Sequence, residues 1–152
     1  PGSMVRLKSA YIVKCESFTK DESGNILEVH CTYIPESKSG SDSSGINVKG
    51  TIHWVSAANA AFAEVRLYDR LFTNENPLAV EGDFKDTINP NSLQIIAKAV
   101  IEPSLKQANF DNRYQFIRKG YFCLDKDSTP DNLVFNRTVT LKDAWVKEVK
   151  KT

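Results

Sequence analysis

Apolar and polar residues alternate along most of this chain with a period of two, the spacing of half-buried strands. In residues 5–15, Val5, Leu7, Ser9, Tyr11 and Val13 fall on one parity, and Arg6, Lys8, Ala10, Ile12 and Lys14 on the other. This reads as one strand, with Arg6 and Lys8 projecting together from its polar end. Asp21-Glu22-Ser23-Gly24-Asn25 is a turn cluster. Residues 26–34 return as a second strand, so the two form a hairpin. Residues 35–45 are rich in Ser, Gly and Lys and predict a mobile surface loop. A third strand is expected over 48–55, carrying Ile52-His53-Trp54-Val55.

Residues 56–61 are Ala-rich, with Ser56 placed as an N-cap, and too short for a major helix. Strand period returns over 62–72, with Ala63, Val65 and Leu67 on one face and Glu64, Arg66 and Tyr68 on the other. The long connection 73–92 contains Pro77, Gly82 and Pro90, with one helical turn fitting 83–88 and a turn signal at Asn89-Pro90-Asn91-Ser92. A strand follows over 93–101, then a short helix over 103–108 with Pro103 at its first position. After a turn at 127–132 comes the last strand, 133–141, and a mixed-charge tail at 143–151. Many short strands, regular turn signals and little helix make the class all-β, sandwich or barrel.

The densest chemistry lies in Tyr114-Gln115-Phe116-Ile117-Arg118-Lys119-Gly120-Tyr121-Phe122-Cys123-Leu124-Asp125. Its aromatic and β-branched residues suit two strands, and Gly120 marks a bulge or bend between them. Gln115 and Arg118 can each hydrogen-bond a flat edge in two places, as base recognition requires. From spacing alone, the simpler reading is a core strand pair with solvated polar residues. The two residues also have opposite parity. For both to serve one site, the strand must bulge or end near Gly120.

Composition narrows the partners. The apolar fraction of 41% is ordinary for a folded domain, and 152 residues suit one domain or two very small ones. A net charge of +1 means any nucleic-acid site must come from local clustering. Between residues 105 and 120, Lys106, Arg113, Arg118 and Lys119 stand against Asp111, four positive charges against one, or +3. Cys15, Cys31 and Cys123 show no paired spacing and read as reduced, buried, cytosolic thiols. His30 and His53 lie far from any Cys-x-x-Cys pattern, so no metal site is expected. The chain has no phosphate-binding loop, dinucleotide fingerprint or nucleophile elbow, so no catalytic residue is assigned. No apolar run nears the roughly 20 residues of a membrane span and no signal peptide is read, so the expectation is a cytoplasmic chain with no membrane partner. Pro1-Gly2-Ser3-Met4 looks like an expression scar, and the abrupt start at Val5 suggests a piece of a longer protein.

Two stretches, Thr51-Ile52-His53-Trp54-Val55-Ser56-Ala57-Ala58 and Glu64-Val65-Arg66-Leu67-Tyr68-Asp69-Arg70-Leu71-Phe72, resemble the C-terminal anticodon-binding region of glutaminyl-tRNA synthetases. The likeness continues through Glu102-Pro103-Ser104-Leu105, the stretch from Gln115 to Asp125, and Val134-Phe135-Asn136-Arg137-Thr138-Val139. It implies two small β-barrels over 5–152, similar to the ribosomal protein that binds 5S RNA, with the distal barrel inserted in the span of a partial proximal one. The resemblance puts Arg6 and Lys8 near the first anticodon base of glutamine tRNA. It puts Gln115 and Arg118 on the middle base, a uracil, with Lys119 a candidate phosphate contact. Unstacked bases are read on their edges by such groups. Lys8 stands where close bacterial relatives carry arginine, and lysine lacks the bidentate fork. Ile117 replaces an acidic residue common in the family.

The resemblance further implies that the ATP- and Mg-dependent catalytic core lies outside this chain, as does the segment with the third-base arginine. It implies no cofactor for the chain itself. A monomer that binds tRNA and not DNA is the expectation. The alternative from the residues is a β-barrel protein-interaction module, since small barrels host many functions.

Overall fold

The computed structural model describes residues 1–141; the mixed-charge tail expected at 143–151 lies outside them. The chain divides into two consecutive compact units, the first ending at Trp54 and the second starting at Val55. Both are β-built, each around one sheet, and the helical segments among the described residues are short 3₁₀ turns. The all-β expectation is met.

The first unit contains β1 (Met4–Leu7), β2 (Ile12–Lys20), β3 (Ile26–Ile34) and β4 (Thr51–Ile52). Their order in the sheet is β3-β2-β1-β4, with β4 parallel to β1. The single strand expected over 5–15 is therefore two antiparallel strands. The Ala10 N–H closes a turn onto the Leu7 carbonyl at 3.0 Å, with Ser9 at φ 58°. Residues 2–4, read as outside the fold, extend this sheet: Met4 pairs with Lys14, and the Gly2 N–H donates to the Cys15 carbonyl at 2.7 Å. The strand expected over 48–55 shrinks to β4.

Apolar burial in this unit is thin. Ile12 is its fully buried apolar side chain, accompanied by a hydroxyl, Ser37, at 0% exposure. Ser37 lies in the 3₁₀ turn Pro35–Ser37, inside the loop expected to be mobile. Its Oγ accepts from the Ile12 N–H at 2.7 Å and donates to the Ile34 carbonyl at 2.6 Å. A buried backbone N–H needs such a partner, so this part of the loop is anchored. The β2–β3 hairpin runs past this support with both faces open. Cys31 is exposed and Cys15 half-buried, which corrects the expectation of buried thiols; all three cysteines are free.

The second unit holds β5 (Ala61–Tyr68), β6 (Leu93–Ile101), β7 (Arg113–Phe116), β8 (Gly120–Leu124) and β9 (Leu133–Val139), ordered β6-β5-β9-β8-β7. Period two is realised on β5, where Ala61, Ala63 and Val65 are buried and Phe62 and Tyr68 exposed. Those three join Ile101, Phe122, Leu124, Leu133 and Phe135 in one core. Phe116 stacks on Phe122 with centroids 4.2 Å apart, and Tyr114 meets Phe135 edge-on at 5.8 Å. Both expected helical pieces form as 3₁₀ turns, Phe84–Thr87 and Pro103–Gln107; the first is capped by the Asp83 carboxylate on the Lys85 N–H.

Candidate nucleic-acid interface

The β7–β8 hairpin shows how apolar packing places polar groups. Tyr114 and Phe116 are drawn to the core, and side chains alternate along a strand. Arg113 and Gln115 must therefore face solvent, and both are exposed. Phe116 is the last residue of β7 and pairs with Gly120. The Lys119 N–H donates to the Phe116 carbonyl at 2.8 Å, closing a turn over Ile117 and Arg118. Arg118 has φ 65° and sits at the third of the four turn positions, where a type II turn needs a positive φ.

β7 ends before Arg118, so strand parity does not apply to that residue. Arg118 is not a strand residue; it rides the turn just beyond the strand end, exposed like Gln115 and Lys119. Gly120 makes the turn possible. Its φ is 140°, and a Cβ built there would stand 2.5 Å from the Val139 carbonyl oxygen. The expected irregularity beside it is present as a register shift between Tyr121 and Phe122 against β9.

The base of the same hairpin is held by a charged cluster that sequence reasoning did not single out. Arg66 on β5 bonds the Glu64 carboxylate at 2.6 Å and the Asp127 carboxylate at 2.8 Å, and lies 3.5 Å from Asp125. The Asp127 contact, followed by Glu64, holds the Arg66 guanidinium more firmly protonated than usual. Asp125, which follows β8, has its pKa lowered first by the Asp127 backbone N–H and then by the Asn136 amide. Charge alternation on β5 was visible in the sequence, but the Asp127 partner lies 61 residues away.

Arg6 and Lys8 sit at the end of the β1–β2 hairpin of the first unit. Arg6 is a strand residue with its guanidinium engaged: Nη1 donates to the Ser37 carbonyl at 2.7 Å, and Nη2 donates to the Asp42 carboxylate. Asp42 has a lowered pKa, first through the Ser44 hydroxyl and backbone N–H and then through Arg6. Lys8 lies in the turn and is exposed. Its carbonyl accepts from the Trp54 indole N–H at 3.0 Å and its N–H donates to the Ile52 carbonyl at 2.9 Å. The Ile-His-Trp-Val stretch thus buttresses the turn that carries Lys8. The five candidate residues occupy two hairpin ends, one in each unit.

Among the described residues no cluster of three or more His, Cys, Asp or Glu side chains could hold a metal ion, and no helix is long and apolar enough to cross a membrane.

Comparison with known proteins adds two kinds of finding. A family model described as tRNA synthetases class I (E and Q), anti-codon binding domain matches residues 51–125, and a second model of the same description matches residues 1–34. A glutamine–tRNA ligase of Vibrio parahaemolyticus is 56% identical over 147 residues, covering 96% of this chain and 26% of that protein. The enzymes of that name from Proteus mirabilis and Cupriavidus taiwanensis are 53% and 52% identical over 96% and 97% of this chain. The chain spans about a quarter of the length of these curated relatives.

Proposed function

Since the chain belongs to the anticodon-binding domains of the class I glutamyl- and glutaminyl-tRNA synthetases, we propose that it reads the anticodon of glutamine tRNA for a glutamine–tRNA ligase. The observation that carries this reading is the β7–β8 hairpin end, where Gln115 on the strand and a left-handed Arg118 in the turn that follows are both exposed. Uracil presents two carbonyl acceptors and one N–H. A guanidinium donates to a carbonyl, while the Gln115 amide both donates and accepts. Lys119, beside them, supplies a point charge to a phosphate. Arg6 and Lys8 serve the neighbouring base, Lys8 as an exposed residue through its ammonium and Arg6 through charge and its remaining N–H groups. The chain works as a soluble cytoplasmic monomer and does no chemistry itself. ATP, its Mg and the transfer of glutamine belong to the part of the longer protein that this chain does not span.

The test is a titration of the chain with an anticodon stem–loop of glutamine tRNA at low salt, followed by amide NMR shifts. Shifts should centre on residues 114–121 and weaken when the middle uracil is changed. Arg118→Ala should lose roughly 1–3 kcal/mol of that preference, the size of one good base contact. Lys119→Ala should weaken all loops about equally and lower the salt slope by about one. Binding indifferent to the middle base in the unsubstituted chain overturns the reading and favours a protein-interaction module.

A further inference from the structure

Cys15 and Cys31 face each other across the β2–β3 hairpin. Hydrogen bonds around Cys15 define what kind of pair this is. Its N–H donates to the Ser3 carbonyl at 3.0 Å, and its carbonyl accepts from the Gly2 N–H at 2.7 Å. In an antiparallel strand both main-chain groups of one residue point to the same side. Those of Cys15 are therefore directed to the β1 side and away from β3. Cys15 and Cys31 form a pair without hydrogen bonds between them, the class with Cα atoms about 4.5 Å apart and side chains closest together. That separation lies at the short edge of the window a disulfide spans, about 4.4–6.8 Å. Directly opposed residues also share a face of the sheet.

Three further features favour bond formation. Both thiols are free and neither is enclosed, with Cys31 exposed and Cys15 half-buried. The Cys15 Sγ makes only a weak contact, 3.7 Å from the Ser17 carbonyl. A bulge at Glu16 follows Cys15 directly, which lets the backbone adjust locally.

We propose that Cys15 and Cys31 form a reversible cross-strand disulfide by exchange with a low-molecular-weight disulfide such as oxidised glutathione. The Cys31 thiolate attacks one sulfur of the small disulfide, and its other half leaves as a thiolate. The Cys15 thiolate then attacks the Cys31 sulfur and expels the second half. Two protein thiols are oxidised by two electrons, the small disulfide is reduced to two thiols, and the two cysteine protons end on those leaving groups. With Cys31 exposed, the bond is open to attack by a reducing thiol, hence labile. It would tie β2 to β3 beside the bulge and fix the register of the outer hairpin. Cys123 pairs in register with Arg113 and Asn136, so it is an internal control.

The experiment treats the chain with oxidised glutathione, quenches by alkylation, and reads intact mass and peptide maps. The expected product has lost two of its three alkylatable thiols and two hydrogen atoms, with peptides containing Cys15 and Cys31 joined and Cys123 alkylated. Cys15→Ser should hold one glutathione on Cys31, because the resolving thiol is gone. Dithiothreitol should return all three thiols. A stable mixed disulfide on Cys31 of the unsubstituted chain, or a cross-link between two chains in place of the internal one, overturns the proposal.

Discussion

The two hairpin ends that carry the candidate contacts are built to one plan. In each, a short loop carries a non-glycine residue at positive φ, Ser9 at 58° and Arg118 at 65°. In each, the turn closes with the same backbone bond, Ala10 to Leu7 and Lys119 to Phe116. Their supports differ. Nine of the ten buried apolar residues among those described belong to the second unit, and Ile12 alone to the first. Where aromatic packing is plentiful, the hairpin is held by Phe116 on Phe122, and its polar residues remain turned to solvent. Where it is scarce, the structure recruits polar groups: Ser37 caps Ile12, and Arg6 is bonded to the Ser37 carbonyl and to Asp42. The lesson is that Arg6 has a structural task that no observed contact assigns to Gln115.

This contrast can be broken most forcefully in the aromatic core. Phe135→Ala removes a fully buried ring that contacts both Tyr114 and Phe116. It should destabilise the second unit by about 3–5 kcal/mol in denaturant unfolding. A loss under about 1 kcal/mol would mean the rings do not hold the hairpin.

Gly120→Ala comes next. The new methyl group would meet the Val139 carbonyl at 2.5 Å, on a backbone with φ 140°. A loss of about 1–3 kcal/mol is expected, with amide shifts spreading along β8 and β9. If the variant is as stable as the parent, the close approach is not needed.

In the first unit, Ser37→Ala leaves the buried Ile12 N–H without its acceptor, which should lower stability by about 1–3 kcal/mol. The Ile12 amide should then exchange faster with solvent. Retained protection would show that the hydroxyl is not what anchors the loop.

The smallest effect is in acid. The folded-state pKa of Asp42 lies below its ordinary 3.8. Its tether to Arg6 is therefore fully present above that ordinary value and is lost as pH falls through the depressed one. The Asp42 carboxyl, followed by NMR, should titrate below 3.8, and Arg6→Ala should move the midpoint up. An unmoved midpoint leaves the shift to Ser44 alone, consistent with its larger share.

Much of the strand plan was legible because alternation and punctuation agree. The strand over 93–101 and the 3₁₀ turn behind Pro103 form as the pattern predicts. The break between β1 and β2 was not legible. Its turn places Ser9, rather than glycine or asparagine, in the left-handed region, so nothing interrupts the alternation from Val5 to Val13. Arg118 hid its turn for the same reason, and the apparent parity clash with Gln115 came from reading strand through it. Both conformations are imposed by the strands on either side, which no local propensity reports. The Arg66 cluster escaped because Asp125 and Asp127 lie just beyond β8, with Asp127 61 residues away in sequence.

The left-handed backbone of Arg118 has a thermodynamic consequence. Fixing one residue's backbone costs about 1–2 kcal/mol in conformational entropy. At this turn that ordering occurs when the hairpin folds, before any ligand arrives. A partner engaging Arg118 has only the side-chain torsions left to freeze, so the hairpin end meets it preorganised.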